Sequence, residues 1–452
     1  MKASEIAEKM FEIEKELNLF EKQIQGVYFW KLIRFEVYQL ILLRLNLISP
    51  HKILKLGFLV KIKRVFSILK NSYFYPSYHK KVDSIILENP RKIQDKNNKY
   101  YDPYTKYFID EITEKNVNFE IVDLGVGGIH YEKPSSKRKY ADNFYFDVVY
   151  RLFMKKTKIN NKDKKYLVEL NSKINIAFNT KIDLTSIVLN KIFLFNLEYQ
   201  KYSLLFKKKD NKELYLVCSY GKEGIIKAAK DLNVKVIEFQ HGAMTKYHMG
   251  YSFPNNPYIP YFPDEILLFG EFWSDNTPLP LLKSALKFIG YEDFNQKVRL
   301  HKDIKKKKKI TFISQWTIGQ DMITKAIEVA KDHLEYKIIY RLHPSEYENK
   351  QFYLNKIKES KLDNLEIGCM KKTVLEEIAD SKYVIGVYST AIYEALALNC
   401  KVLLLPLYGV QFMRYLTDKN YAHIIDLESK VNLDNIIFKN ISSEYFFGKI
   451  HD

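Results

Sequence analysis

Short runs of apolar and β-branched residues alternate with stretches of helical periodicity along most of this chain. A strand buried on both faces of a sheet has such a continuous apolar run, and regular alternation with helices is typical of parallel sheets. The pattern therefore predicts an α/β sheet with right-handed crossovers. The predicted strands are residues 82–87, 117–124, 214–218, 234–239 and 266–270, and the predicted helices are residues 105–115 and 224–232.

The same pattern starts again after a block of charge. Lys305 to Lys309 are consecutive lysines, and such a run is typical of a solvated linker. We therefore expect two doubly wound domains, at residues 75–300 and 301–452, with a basic helical insertion at about 131–210 in the first. The predicted strands of the second domain are residues 310–314, 337–342, 383–387 and 401–405, and its predicted helices are 322–332, 352–360 and 391–398.

Residues 1–74 precede the alternating pattern and have helical spacing throughout. One apolar face comprises Ile6, Met10, Ile13, Leu17 and Phe20. Further along, aromatic and aliphatic residues are interleaved with a basic set: Lys52, Lys55, Lys61, Lys63, Arg64 and Lys70. A basic amphipathic segment of this kind either lies in a membrane interface or forms a helical cap on the first domain.

Composition narrows the class of protein. The formal net charge of +18 favours contact with anions such as nucleic acid, lipid headgroups or phosphorylated substrates, although the abundance of Lys, Asn, Ile and Tyr also fits an AT-rich genome. The three cysteines are far apart and form no metal-binding or disulfide pattern. With no secretory signal and no run of eighteen apolar residues, we expect a cytoplasmic protein.

The strand predicted at residues 234–239 ends on Gln240, His241 and Gly242. Ligands of open α/β sheets bind just beyond the carboxyl ends of strands, so His241 lies where chemistry is expected. A neutral imidazole can take a proton from an attacking hydroxyl, and glycine permits a sharp turn and close approach of a ligand. The alternative is that His241 only caps the strand.

The strand predicted at residues 337–342 ends on Arg341, Leu342, His343 and Pro344. Alternation along a strand places Arg341 and His343 on the same face. A guanidinium and an imidazole presented together suit a phosphate-bearing leaving group, because both donate charge-assisted hydrogen bonds. The alternative is a histidine that is hydrogen-bonded for structural reasons alone.

The strand predicted at residues 383–387 leads into Ser389 and Thr390, which open a helix containing Glu394. Free amides at a helix N-terminus bind anions, so this turn is a candidate phosphate site. Ordinary N-capping explains the same residues. Glu394 either accepts hydrogen bonds from ribose hydroxyls or is a solvated charge.

The loop after His241 is polar and aromatic, and it contributes Lys246 and His248 as candidate contacts. Familiar phosphate-binding and metal-binding motifs are missing: there is no GxGxxG, GxxxxGK[ST], DxD or HExxH sequence. A P-loop ATPase and a dinucleotide-binding enzyme are therefore not indicated.

Taken in order, His-Gly at 241–242, Arg-x-His-Pro at 341–344 and Ser-Thr with Tyr-Glu-Ala-Leu at 389–396 resemble GT-B glycosyltransferases of bacterial surface polysaccharides. Capsule-synthesis transferases, HP-motif sialyltransferases and teichoic-acid glycerophosphate polymerases are the similar branches, over roughly residues 80 to 425. Sialyltransferase-like enzymes have an acidic base where this chain has His241, and the polymerases have an aromatic residue where it has Gln240. The resemblance implies two Rossmann-like domains facing a cleft, with an N-terminal helical appendage.

The resemblance also implies an inverting, metal-independent transfer without a cofactor, from a nucleotide-sugar donor that includes cytidine nucleotides as candidates. His241 would be the base, with Gln240, Gly242, Lys246 and His248 on the acceptor side. Arg341, His343, Ser389 and Thr390 would hold the donor phosphate, and Glu394 and Gln315 the nucleotide and ribose.

The expected acceptor is a polysaccharide or a lipid-linked glycan, with an anionic membrane surface as a candidate partner and no nucleic acid. Two rivals stay open. A transferase of polyol phosphate from a CDP-alcohol would use nearly the same residues. A basic binding protein without catalysis, on membrane or nucleic acid, would leave both strand-end histidines unexplained.

Overall fold

The computed structural model describes residues 2–48, 58–75, 81–95, 97–125, 129–142, 159–301, 303–315, 318–426, 433 and 436–449. Within these ranges the chain forms two parallel sheets, a small hairpin and helices on both sheets. Lys52 and Lys55 of the basic segment lie outside the described residues.

The first sheet has the order β5-β4-β1-β6-β7-β8-β9, and every neighbouring pair is parallel. Its strands are β1 Ser84–Leu87, β4 Phe119–Asp123, β5 Arg138–Tyr140, β6 Glu213–Val217, β7 Lys235–Phe239, β8 Glu265–Leu268 and β9 Leu286–Phe288, while β2 Ile93–Gln94 and β3 Tyr100–Tyr101 form the hairpin. Its helices are α4 Lys106–Glu114, α5 Asn161–Phe178, α6 Leu184–Lys209, α7 Glu223–Asp231, α8 Glu271–Asp275 and α9 Glu292–Arg299.

The second sheet has the order β12-β11-β10-β13-β14-β15, again with parallel neighbours throughout. Its strands are β10 Lys307–Ile313, β11 Lys337–Arg341, β12 Leu365–Ile367, β13 Ser381–Gly386, β14 Lys401–Leu404 and β15 Ala422–Ile424. Its helices are α10 Gly319–Asp332, α11 Lys350–Ser360, α12 Val374–Ile378, α13 Thr390–Ala397 and α14 Arg414–Asp418. The short 3-10 turns are Leu19–Glu21, Lys283–Ala285, Pro344–Asn349 and Val410–Met413.

Both sheets have the Rossmann strand order 3-2-1-4-5-6 when their strands are numbered in chain order. The first sheet has β9 as an additional seventh strand at its edge. The topology itself therefore confirms the predicted fold class, two Rossmann-like α/β domains. The polarity of the sheets places the ends of β7, β11 and β13 at carboxyl edges, where ligands bind.

The block of lysines before β10 is not a solvated linker. Lys307 to Lys309 already belong to β10, and Lys309 is buried. Its ammonium group donates to the Glu377 carbonyl oxygen at 2.6 Å and pairs with Asp380 Oδ1 at 2.7 Å. From sequence alone, a run of lysines is interpreted as solvent-exposed. The acidic partners of Lys309 lie in a distant segment, so no local pattern predicts them.

The basic region at 131–210 is not wholly helical. Arg138–Tyr140 forms the edge strand β5, and the helices α5 and α6 follow after residues 143–158, which lie outside the described residues. Helix α6 packs along α7, so it forms part of the layer on the first sheet. A three-residue edge strand is too short for its periodicity to be read from sequence.

Three helices precede the first sheet: α1 Ala3–Glu16, α2 Phe29–Arg44 and α3 Phe58–Phe74. Helices α1 and α2 are not an appendage, because Ile6, Phe29 and Ile33 are fully buried in the same apolar cluster as residues of both sheets. The helical-cap interpretation therefore applies to α1 and α2. Helix α3 differs, because several of its large apolar residues are exposed.

The chain ends by returning to the first sheet. Helix α15, Ser443–Phe447, packs against α8. Trp273 Nε1 donates to the Phe446 carbonyl oxygen at 2.6 Å, and the Tyr291 amide donates to the Phe447 carbonyl oxygen at 2.9 Å. A segment from the far end of the sequence thus completes the wall of the cleft.

A buried ion pair joins α1 to α2 and fixes the loop that follows β7. Arg34 Nη2 donates to Glu14 Oε2 at 2.9 Å, and Trp30 Nε1 donates to Glu14 Oε1 at the same distance. The remaining face of the guanidinium donates to the carbonyl oxygens of Met249 at 2.8 Å and Ser252 at 2.7 Å. Arg34 is 1% exposed and Glu14 is 4% exposed, so neither charge has water to replace its partner.

We predict that Glu14→Gln destabilises the protein strongly, by about 3–5 kcal/mol, because it leaves the buried guanidinium without a counter-charge. Thermal unfolding followed by circular dichroism measures the effect. Glu16→Gln is the matched control, because Glu16 on the same helix forms an exposed pair with Lys173 at 3.5 Å. Equal melting temperatures for the two variants would contradict the prediction.

Candidate functional site

The turn after β7 is held rigidly to the neighbouring strand by Gln240. This side chain is fully buried, and its Oε1 accepts the Phe269 amide at 2.8 Å, while its Nε2 donates to the Gly242 carbonyl oxygen at 2.8 Å. Gly242 does not have a positive φ, so the turn does not demand glycine. A Cβ there would meet no atom within 4 Å, which leaves open space beside the backbone.

His241 lies between two tyrosine hydroxyl groups. Its Nδ1 is 3.1 Å from Tyr251 Oη, and its Nε2 is 3.2 Å from Tyr220 Oη. Tyr220 follows β6, the strand adjacent to β7, and Tyr251 comes from the loop that Arg34 holds. The imidazole is therefore oriented by the neighbouring strand end and by the N-terminal helices together.

The proton arrangement around His241 follows from a buried carboxylate. Tyr251 Oη donates its one proton to Glu238 Oε1, and Glu238 is fully buried on β7 with a second hydrogen bond from the Ser219 amide at 2.9 Å. Tyr251 can then only accept from His241, so we infer that Nδ1 carries the proton. Nε2 is then the basic nitrogen, and its lone pair faces the Tyr220 hydroxyl at 3.2 Å.

Burial lowers the pKa of His241 to about 3, with smaller contributions from His248, Lys222 and Arg91. The ring is therefore neutral at physiological pH. A neutral imidazole is the state in which a histidine accepts a proton.

His241 opens into a cavity of about 180 Å³ whose walls come from both halves of the fold. Aromatic rings dominate it, and the rings of Phe269 and Tyr291 stack with centroids 4.3 Å apart. The lining residues are Tyr104, His241, Gly242, Ala243, Phe269, Trp273, Tyr291, Phe294, Thr390, Tyr393, Glu394 and Phe447. Among the predicted residues, the cavity brings together His241 and Gly242 from one sheet with Thr390 and Glu394 from the other.

The second-sheet wall is the start of α13. Ser389 is its N-cap, since Ser389 Oγ accepts the Ala391 amide at 3.3 Å, as expected for capping. Burial raises the pKa of Glu394 to about 7, with Lys297 opposing the shift. The Tyr393 hydroxyl is buried and has no hydrogen-bond partner within the described residues, which leaves it available to a ligand.

Arg341 and His343 lie outside the walls of this cavity. Arg341 Nη2 donates to the Lys372 carbonyl oxygen at 2.8 Å and Nη1 donates to the Cys369 carbonyl oxygen, so the guanidinium anchors that loop. His343 is exposed, and its Nδ1 accepts the Ser345 amide at 3.2 Å. In the neutral ring Nε2 then carries a proton, and it is free to donate to an anion.

Gln315 also lies outside the cavity, and it links two strand ends of the second sheet. It follows β10, its Oε1 accepts the Tyr388 amide at 3.2 Å and its Nε2 donates to the Tyr388 carbonyl oxygen. Its amide thereby sets the position of the turn that leads into Ser389.

The loop after Gly242 places the two remaining candidates, Lys246 and His248, in different surroundings. Lys246 lines a different and larger cavity of about 640 Å³, near Tyr247, Phe412 and Arg414, and its ammonium group is 3.4 Å from Glu8 Oε1. His248 stacks on Phe35 of α2 at 5.7 Å between ring centroids. Burial lowers its pKa to about 4, so it is a neutral packing residue beside His241.

We take the smaller cavity as the candidate active site. The larger cavity contains only Lys246 among the predicted residues, whereas the smaller one contains four, and two of these, His241 and Glu394, have shifted pKa values. Paired titratable groups in a cleft, pushed in different directions by their surroundings, are typical of a functional site.

Sequence reasoning missed the residues that orient the base and line the cavity. Tyr220, Tyr251 and Glu238 surround His241, and Tyr393 faces the cavity from α13. The abundance of tyrosine hid three of them, since 34 tyrosines give no reason to single out Tyr220, Tyr251 and Tyr393. The position of Tyr220 two residues beyond the end of a predicted strand was the one available signal.

No protein-family model matches this chain, and no curated protein matches it. Solved structures that resemble it include UDP-GlcNAc 2-epimerase from Methanocaldococcus jannaschii, with 10% identity, TM-score 0.42 and coverage of 82% of this chain and 97% of that one. MurG from Acinetobacter baumannii has 9% identity, TM-score 0.41 and coverage of 77% and 87%. The wall teichoic acid polymerase TagF has 11% identity, TM-score 0.40 and coverage of 84% and 90%. The fold class rests on the strand order of the two sheets.

We predict that ionisation of Glu394 destabilises the fold. Its folded pKa is raised from 4.5 to about 7, so the folded state holds its proton more tightly, and stability falls as pH rises through this interval. Glu394→Gln removes this dependence. Relative to that variant, the natural protein loses on the order of 2 kcal/mol between pH 5 and pH 8, after allowance for partial exposure.

Chemical denaturation at the two pH values measures the difference. Glu366→Gln, an exposed glutamate on β12, serves as the control and leaves the pH dependence unchanged. The same pH dependence in the natural protein and in Glu394→Gln would contradict the prediction.

Proposed function

We propose that this protein is an inverting, metal-independent GT-B glycosyltransferase. It moves a sugar from a nucleotide-sugar to a hydroxyl group of a growing capsular or surface polysaccharide, or of a lipid-linked glycan. The observation that carries the proposal is the shared cavity, in which the unprotonated His241 of one sheet and the Thr390 and Glu394 of the other form different walls. A base on one wall and a helix N-terminus on another are the two groups that such a transfer needs.

The proposed transfer needs one general base, which takes the proton of the acceptor hydroxyl. The acceptor oxygen attacks the anomeric carbon, its proton passes to His241 Nε2, and the bond between the anomeric carbon and the donor phosphate oxygen breaks. The resulting imidazolium is stabilised by the Nδ1 proton shared with Tyr251, whose hydroxyl is bound to Glu238. Attack from the side opposite the leaving group inverts the configuration at the carbon.

The departing nucleotide phosphate requires stabilisation from the second domain. Thr390 lines the cavity at the N-terminal end of α13, where the helix dipole is positive, and Ser389 is the N-cap of that helix. Glu394 accepts from the ribose hydroxyls, and the outward Nε2 proton of His343 is available to the phosphate as the domains close. Gln315 and Arg341 act by holding the turns that carry these groups.

The stacked rings of Phe269 and Tyr291 supply apolar faces beside the base. Such faces suit the C–H surface of a sugar or a nucleobase, and the donor candidates include a cytidine nucleotide. Gln240 and Gly242 shape the acceptor side of the turn, while Lys246 and His248 contribute through the loop behind it. The enzyme carries no cofactor in this proposal, and it works in the cytoplasm against the inner face of the membrane.

Transfer of a polyol phosphate from a CDP-alcohol is the second candidate, because the base and the phosphate-binding helix start would serve it equally. The electrophile would then be phosphorus, and the leaving group would be CMP. Analysis of the product made with the preferred donor distinguishes a transferred sugar from a transferred polyol phosphate.

We predict that a nucleotide or nucleotide-sugar raises the melting temperature of the protein in a panel of CMP, CDP, UDP and GDP. His343→Ala and Thr390→Val reduce this shift, because they remove donors to the phosphate. His423→Ala, on the edge strand β15, is the matched control and keeps the full shift. Absence of stabilisation by every nucleotide would count against the transferase proposal.

We predict that His241→Ala lowers kcat about 10²- to 10⁴-fold while the nucleotide-induced shift persists, since a general base contributes this much to the rate. Tyr251→Phe lowers kcat less and leaves KM for the donor unchanged, because it frees the Nδ1 proton without removing the ring. Tyr258→Phe, an exposed tyrosine in the same region, is the control. A pKa of about 3 for His241 also predicts no loss of its base function between pH 8 and pH 5.

A non-catalytic anion-binding protein would behave differently. His241→Ala would then leave every measured property intact, and salt alone would abolish ligand binding. The combination of unchanged binding and lost turnover in His241→Ala is the result that separates an enzyme from a binding protein.

A further inference from the structure

Helix α3 presents its apolar side to solvent. Phe66 is 67% exposed, Tyr73 is 79% exposed and Leu69 is 43% exposed, and Ile62 and Val65 are also exposed. These five residues have the spacing i, i+3, i+4, i+7 and i+11, which places them along one face of a helix.

The opposite side of α3, which faces the protein, is polar. Asn71 is buried and its Nδ2 donates to Asp142 Oδ2 at 2.6 Å. The chain just after the helix is fixed to the sheet edge, since the Tyr140 amide donates to the Tyr75 carbonyl oxygen at 3.2 Å. An ordinary surface helix buries its apolar stripe and exposes its polar one, so the orientation of α3 is reversed.

The anchor under α3 is itself well braced. Asp142 Oδ2 also lies 3.1 Å from His130 Nε2, and His130 Nδ1 lies 3.1 Å from Asp123 Oδ2 at the end of β4. The helix is therefore tied to the first sheet by a buried polar cluster. A helix anchored at one polar contact, with an outward apolar stripe, presents a docking surface.

Charge indicates the partner. The segment 58–74 contains Lys61, Lys63, Arg64 and Lys70 and no acidic residue, and Lys63 and Lys70 are exposed beside the apolar stripe. Apolar and aromatic side chains bordered by cations match a bilayer surface with anionic headgroups. None of the helices among the described residues is long and apolar enough to cross a membrane, so α3 would lie in the plane of the interface.

We propose that α3 docks the protein onto an anionic membrane, with Phe66, Leu69 and Tyr73 inserted between headgroups and acyl chains and with Lys63 and Lys70 at the phosphates. This surface would bring the enzyme to a lipid-linked acceptor, and that role rests on the proposed transferase function. The binding itself is measured without turnover, so the two proposals fail separately.

Co-sedimentation of the full chain with vesicles tests the inference. The natural protein is expected to bind vesicles of mixed phosphatidylglycerol and phosphatidylcholine more tightly than vesicles of phosphatidylcholine alone, and added salt weakens that binding. Failure of the natural protein to bind anionic vesicles would overturn the proposal.

Two double variants separate the apolar and the electrostatic contributions. Phe66→Ser with Leu69→Ser weakens binding to anionic vesicles about tenfold or more, since both large apolar side chains lose their burial. Lys63→Glu with Lys70→Glu weakens it and removes the preference for anionic lipid. All these positions are exposed and away from the candidate active site, so the nucleotide-induced melting shift is expected to persist.

Matched controls come from α5, which also exposes apolar and basic residues. Val168→Ser with Ile176→Ser, at positions 56% and 78% exposed, and Lys164→Glu with Lys165→Glu leave vesicle binding unchanged. Equal loss in the control and α3 variants would refute a specific role for α3. Conversion of a dimer to a monomer by the Phe66 and Leu69 substitutions, without an effect on vesicle binding, would instead identify a second copy as the occupant.

Discussion

The placement of the candidate base depends on a buried arginine in the second helix. Arg34 is neutralised by Glu14 and uses its remaining hydrogen bonds on the carbonyl oxygens of Met249 and Ser252. The intervening residue Tyr251 therefore has a fixed position, and its hydroxyl bridges Glu238 and His241. Because a buried charge without partners is costly, this arrangement is held against local fluctuation. Helices that precede both sheets thus orient a side chain at the end of β7.

The second constraint is the meeting of two carboxyl sheet edges. The end of β7 and the start of α13 reach one cavity, and α15 closes it with Phe447 from the far end of the chain. Burial disfavours the charged form of both groups, so it lowers the pKa of His241 and raises that of Glu394. Both groups are held close to their neutral forms by the same buried surroundings, and a neutral His241 is the state that the proposed proton transfer needs.

The central strands could be predicted because they are buried on both faces and need no tertiary information to be recognised. The edge strands β5, β9, β12 and β15 could not be predicted, since three residues are too few to show a hydrophobic periodicity and their composition is mixed. Lys309 was misread because its partners Glu377 and Asp380 lie some seventy residues away. The rule that ligands bind at carboxyl edges singled out both strand-end histidines, but only His241 lines the cavity. His343 lies outside it, and Arg341 and Gln315 hold loops.

The amino-acid sequence by itself determined the two Rossmann-like domains, the location of His241 at a strand end and that of Glu394 one turn into a helix, because apolar periodicity and turn chemistry act over a few residues. Only the tertiary structure decided which candidates share a cavity, which nitrogen of His241 is unprotonated and which side of α3 faces outward. Those outcomes depend on contacts between residues far apart in the chain, such as Glu14 with Arg34 or Asn71 with Asp142. A local pattern contains the chemistry of a side chain, whereas its partners and its exposure are properties of the folded chain.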